Sequence, residues 1–104
     1  MTYENISAQQ AKCRMDADPS VVVLDVRRPD EFALGHIPRA VNVPLADIES
    51  GRLPELMEDK TAAYLIYCRS GVRSVAAAEL LSRLGYEKLA NFGGILTWPY
   101  EVEH

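Results

Sequence analysis

The chain has 104 residues, is 48% hydrophobic and 25% charged, and carries a formal net charge of −4 at pH 7. These proportions suit a folded globular protein and argue against disorder, and the length suits a single domain over residues 1–104. The negative total argues against generic nucleic-acid binding, because neutralising phosphates needs a basic face. No apolar run is long enough to span a membrane, and Met1 to Lys12 lacks the basic head and apolar stretch of a signal peptide. The expected location is therefore the cytoplasm, with no membrane contact.

In chain order, Ser7-Ala8-Gln9-Gln10 fits a capping box and starts a first helix. Asp18-Pro19 ends it. Val21-Val22-Val23-Leu24 is an unbroken β-branched run, the pattern of a strand buried on both faces. Pro29 opens a short helix through Leu34, with Gly35 as its stop. Val41 to Val43 reads as another short strand. Pro44 to Met57 holds one or two helical pieces, broken around Gly51 and Pro54. Ala63-Tyr64-Leu65-Ile66-Tyr67 reads as a central strand, and Cys68 to Gly71 as a turn. Val72 to Leu84 then forms a helix with Val72, Ala76, Ala77, Leu80, Leu81 and Leu84 as its apolar face, and Arg73, Glu79, Ser82 and Arg83 on its wet side. Gly85 follows as its C′ residue. Lys88 to Asn91 is the last strand, and Gly93-Gly94 leads to a short terminal helix near Trp98. Glu101 to His104 are expected to fray. Strands alternating with helices predict an α/β fold: a mostly parallel central sheet of about five strands with helices on both faces.

The chemistry concentrates at Cys68, where a buried strand gives way to a helix. Ligands of open parallel sheets bind beyond the carboxyl ends of the strands. A helix N-terminus there presents backbone N–H groups that lack intrahelical partners, together with the positive end of the dipole. Arg69 and Arg73 add positive charge, and Gly71 permits a tight loop. Such a setting favours a thiolate, so Cys68 is expected to ionise below the ordinary thiol range. The loop Arg69, Ser70, Gly71, Val72, Arg73 and Ser74 is the expected anion cradle.

The remaining conspicuous residues read as structural. Asp25 and Arg27 are expected to form an ion pair at a strand end. His36 has no base to supply if the loop itself ionises Cys68. Cys13 points away from Ala11 and Met15, so it is expected on the surface. Trp98 is expected in the core. The two His and two Cys are too scattered for a metal site, and no cofactor is expected.

Leu24-Asp25-Val26-Arg27, Glu31-Phe32, Gly35-His36-Ile37-Pro38-Arg39-Ala40, Asn42-Val43-Pro44 and Tyr67-Cys68-Arg69-Ser70-Gly71, with Gly93-Gly94 and Trp98, resemble the recurring signatures of rhodanese domains. The resemblance runs from about Ile6 to Trp98. It implies a sulfurtransferase in which the Cys68 thiolate takes the outer sulfur of thiosulfate or another sulfane donor. The resulting persulfide passes its sulfur to cyanide or a thiol. The implied partners are a small anionic sulfur donor and a thiol acceptor of thioredoxin-like or sulfur-relay type. Two other readings use the same thiolate. One is a persulfide carrier that hands sulfur to a partner protein. The other is a small phosphatase or arsenate reductase, whose loop resembles Cys-x5-Arg. This chain has four residues between Cys68 and Arg73, one fewer, which matches the sulfurtransferase branch.

Overall fold

The computed structural model describes residues 2–104. Its strands are β1 (Glu4–Asn5), β2 (Val22–Asp25), β3 (Ala40–Asn42), β4 (Ala63–Cys68) and β5 (Lys88–Gly94). Its helices are α1 (Ala8–Ala17), α2 (Pro29–Leu34), α3 (Leu45–Ser50) and α4 (Val72–Arg83), with single 3₁₀ turns at Glu55–Met57 and Ile95–Thr97. The sheet runs β1-β5-β4-β2-β3, and every pairing is parallel. All five strands therefore send their carboxyl ends to the same edge.

Alternation along the strands divides the core. Leu24, Ile66 and Cys68 face Ile48 of α3 and Ala77, Ala78 and Leu81 of α4. Val23, Leu65 and Tyr67 face the other way, onto Ala11 and Met15 of α1 and onto Trp98. β4 has neighbours on both edges and helices on both faces, so Tyr64 to Cys68 are all buried. That double coverage is why its sequence reads as a continuous apolar run.

Local chemistry sets the element ends. The Ser7 side chain accepts from the Gln10 N–H, and the Gln10 side chain accepts from the Ser7 N–H, closing the expected capping box. Gly85, with φ +98°, turns the chain after α4.

Four details differ from the sequence expectation. β1 lacks an apolar pattern because it is a two-residue edge strand held only by β5. β5 continues past Asn91 through Gly94, since its last residues run against the turn that follows Cys68. The buried stripe of α4 is Ser74, Ala77, Ala78, Leu81 and Ser82, while Val72 is 77% exposed. Two serines small enough to pack lie inside, and a valine in the first turn lies out. Finally, Glu101–His104 is docked. The His36 N–H donates to the Glu103 carbonyl at 2.8 Å, and the Glu103 N–H returns to His36 at 2.7 Å. The Trp98 indole N–H also donates to the Glu101 carbonyl at 2.9 Å. Those bonds anchor a segment that composition alone marks as loose.

Candidate active site

Cys68 is the last residue of β4, and Arg69, Ser70 and Gly71 carry the chain into α4. Gly71 takes φ +108°, a left-handed conformation that turns the chain from the loop into α4. The Gly71 N–H donates to Cys68 Sγ at 3.0 Å. Ser74 Oγ lies 3.5 Å from the same sulfur. The hydroxyl accepts from the thiol form and can donate to the thiolate. Burial pushes the Cys68 pKa up. The Ser74 hydroxyl and the N–H groups of Ser74, Gly71 and Ser70 push it down, and together they prevail, leaving it below the ordinary thiol value. Cys68 as a residue is 1% exposed. Among the described residues, every hydrogen-bonding group at its sulfur comes from its own loop and the first turn of α4.

β5 braces this loop from below. An extra residue in β5 shifts its register against β4, so that Ile66 pairs with Asn91 but Cys68 with Gly94. The shift brings Gly94 directly under the Arg69–Ser70 peptide. The Leu96 N–H then donates to the Arg69 carbonyl at 3.2 Å. Ser74, fully buried, has the carbonyls of Gly71 and Gly93 at 3.2 and 3.3 Å from its hydroxyl. One side chain thus ties loop, helix and β5 together beside the sulfur.

The predicted cradle residues divide by position. Ser70, Gly71 and Ser74 meet the sulfur through their amides. Arg69, Ser70 and Val72 have exposed side chains on the rim. Arg73 is half-buried and turned aside. Its guanidinium donates to both carboxylate oxygens of Glu31, at 2.5 and 3.0 Å. That bidentate pair ties α4 to α2 and lowers the Glu31 pKa to about 2, the Arg73 hydrogen bonds being the largest cause. Glu31 carries this anchoring role, and the sequence signals it only through the Glu31-Phe32 motif. The polarisation of Cys68 accordingly comes from backbone dipoles and one hydroxyl more than from arginine charge.

Asp25 and Arg27 form the expected ion pair, at 2.7 Å and almost fully buried. Tyr67, next to Cys68 in the chain, donates its hydroxyl to Asp25 at 2.6 Å and accepts the Ile37 N–H at 3.0 Å. The network therefore fixes the end of β4 to the Gly35–Pro38 turn. Burial, with the Asp25 hydrogen bond adding to it, drives the Tyr67 pKa far above the ordinary phenol value. His36 stacks on Phe32 with ring centroids 3.9 Å apart, and its Nδ1 lies 3.1 Å from the Phe32 carbonyl. Its polar partners thus belong to α2 and the C-terminal segment. Cys13 is exposed on α1, and Trp98 is buried between Phe92 and Tyr100.

A nucleophilic sulfur in an amide cup at the carboxyl edge of a parallel sheet can form a covalent adduct and hold its negative charge. Comparison with known proteins places the fold and the chain in a family. Residues 7–99 match the model of the rhodanese-like domain. The YtwF protein of Bacillus subtilis is 35% identical, with 99% of this chain and 97% of that protein covered. The thiosulfate sulfurtransferase PspE of Escherichia coli is 35% identical, with 69% of this chain and 68% of that protein covered. The crystal structure of a rhodanese-related protein from Thermoplasma volcanium superposes with a TM-score of 0.80 at 32% identity, covering 97% of this chain and 98% of the other. On fold, motif and relatives together, this chain belongs to the rhodanese-like sulfurtransferase family.

Proposed function

We propose that this protein moves sulfane sulfur from thiosulfate or another persulfide donor to a thiophilic acceptor, through a persulfide on Cys68. The observation that carries this reading is the 3.0 Å contact from the Gly71 N–H to Sγ, in a cup that also lowers the thiol pKa. In the first half-reaction the Cys68 thiolate attacks the outer sulfur of thiosulfate. A new bond forms to Sγ, the bond to the sulfonate sulfur breaks, and sulfite leaves with its electron pair. In the second, the acceptor attacks the outer sulfur and Sγ departs as a thiolate. The amides of Ser70, Gly71 and Ser74 receive the negative charge each time, which is electrostatic preorganisation around a covalent intermediate. Arg69 on the rim would meet the anionic donor first, with the Val72 and Arg73 backbone completing the cradle.

The near-complete burial of Cys68 supports sulfur over phosphorus. A terminal sulfur can approach end-on through a narrow opening, whereas a tetrahedral phosphoryl group needs room around the nucleophile. The acceptor would be a thiol, either small or carried by a thioredoxin-like or sulfur-relay protein. In that last case the domain serves as a carrier. The test is thiosulfate-to-cyanide transfer by wild type and Cys68→Ser, with intact-mass measurement after thiosulfate. The expected result is turnover and a gain of one sulfur atom in the wild type, and neither in the variant. Full activity in Cys68→Ser would overturn the assignment. Sulfur loading with poor cyanide turnover would favour the carrier role.

A further inference from the structure

We infer that the cavity beside the Cys68 loop is a second anion subsite, built around Arg27, for the carboxylate of a small acidic thiol acting as sulfur acceptor. The inference rests on the sulfurtransferase reading above and narrows its acceptor. The cavity measures about 300 Å³, with Arg27, Gly35 and Arg69 among its lining residues. That volume is at the lower end of small-molecule sites, and Arg69, the residue after Cys68, places it next to the loop.

Arg27 is 5% exposed. Its Nε and Nη2 donate to Asp25, and Nη2 also donates to the Gly35 carbonyl at 2.6 Å. Its Nη1 has no hydrogen-bond partner among the described residues, yet it is not sealed off, since no unpartnered side-chain nitrogen is fully buried among them. Arg27 therefore presents a donor, rigidly held by its own ion pair, toward the cavity. Arg69 stands on the same cavity and forms no ion pair among the described residues. Glu31 also lines the cavity, but both its oxygens are engaged by Arg73. The one charge on this cavity without an ion-pair partner among the described residues is thus that of Arg69; its guanidinium, with the remaining Arg27 donor beside it, suits a planar carboxylate.

The walls fit the rest of such a molecule. Leu34 and Ile95 supply apolar surface for a short methylene spacer. The docked C-terminal segment closes the outer side, with Val102 and His104 packed against Gly35. In the transfer step, the acceptor thiolate attacks the outer persulfide sulfur. The bond from that sulfur to Cys68 breaks, a bond to the acceptor forms, and Sγ keeps the electron pair. No other reactant is needed.

The test compares 3-mercaptopropionate with the uncharged 2-mercaptoethanol, reading the ratio of their kcat/KM values as acceptors after loading from thiosulfate. Intrinsic thiol reactivity cancels between proteins. The ratio should fall about tenfold in Arg27→Lys and in Arg69→Gln, as expected for loss of a charge-assisted hydrogen bond. An independent arm titrates propionate, which carries no thiol, while following the backbone amides of Gly35 and Arg69 by NMR. They should shift in the wild type and respond less in Arg69→Gln, whose altered side chain is at the surface. An unchanged thiol ratio in both variants, or amides indifferent to propionate, overturns the subsite. Failure of the wild type to take sulfur from thiosulfate would instead overturn the transfer reading, and the propionate arm would still decide the subsite.

Discussion

Gly93 and Gly94 are adjacent, and the structure requires each to be glycine for a different reason. Gly94 has extended backbone, φ −148° and ψ 163°, which alanine adopts freely. Its constraint is space. A methyl group there would fall on the Arg69 carbonyl and lie 2.6 Å from the Ser70 nitrogen. Comfortable non-bonded separations are about 3.5 Å, so Gly94→Ala must drive the loop back by about 1 Å or more. The displaced atoms are backbone, with no flexible tip to yield, and they carry the amides that face Sγ. Overpacking of this kind costs about 1–3 kcal/mol, and a 1 Å misplacement of catalytic groups can cost about 100-fold in rate.

Gly93 is the internal control. A methyl at Gly93 meets nothing within 4 Å, but its φ is +90°. Gly93→Ala therefore stores about 1–2 kcal/mol of backbone strain without pushing on the loop. The assay is kcat/KM for thiosulfate-to-cyanide transfer beside thermal unfolding. Gly94→Ala should lose about 100-fold in kcat/KM. Gly93→Ala should lose about 4–16 °C in Tm and keep most of its activity. Wild-type turnover in Gly94→Ala, or equal loss of activity in both variants, would refute the idea that β5 sets the loop by contact.

Three further outcomes follow from the site. In a Cys13→Ser background, alkylation of Cys68 should become fast at a pH below the ordinary thiol value of 9.0, because hydrogen bonds to the thiolate outweigh burial; adding Ser74→Ala should move that profile upward, and an unmoved profile would rule out the hydroxyl as a donor. Glu31 titrates near 2 in the folded chain against 4.5 without its partners; its stabilisation is therefore present above about pH 4.5 and lost as pH falls toward 2. Thermal scans across that range should show a steeper acid loss in wild type than in Glu31→Gln, and parallel curves would contradict the pairing. Tyr67→Phe strips a donor from the buried Asp25 carboxylate and an acceptor from the Ile37 N–H, at a cost of about 2–4 kcal/mol; an unchanged urea midpoint would show that the network carries no stability.

The sequence made the central architecture legible wherever burial is symmetric. β4, covered on both faces, has an apolar run with no competing period. Asp18-Pro19, Gly35 and Gly85 mark ends because their backbone chemistry is local. The pattern fails where tertiary contact decides. Ser82 reads as wet and lies inside, because a small side chain can pack where a larger polar one cannot. Val72 reads as core and projects outward, because the helix starts at the sheet's edge with nothing above it. β1 and the docked Glu103 depend on partners about 85 and 65 residues away in sequence, and no local propensity encodes such pairing. At the site, Cys68 and its loop were identifiable from residue types in order, but the brace beneath them was not. Gly94 is needed because of Arg69, and only the folded register brings those two together.

The arginines bear on how the site handles charge. A loop with Arg69 and Arg73 reads as a cationic trap, yet Arg73 is engaged by Glu31 and Arg27 by Asp25. Each pair leaves little net charge beside the sulfur. What remains near Cys68 is the rim guanidinium of Arg69 and, at the sulfur itself, a set of N–H dipoles and a hydroxyl, fixed by α4, β5 and the loop. This arrangement suits a group that alternates between thiolate and persulfide. Both forms carry one negative charge, displaced by a single sulfur–sulfur bond. A tightly bidentate arginine would favour one of those positions, whereas a ring of amides can serve both without rearranging. The ion pairs then have a mechanical role: they hold β4, α2 and α4 in the register that keeps those amides convergent. On this argument, charge-conserving replacements at Glu31 or Arg73 that break the bidentate geometry should slow both proposed half-reactions together, because the proposed transfer uses the same cup twice.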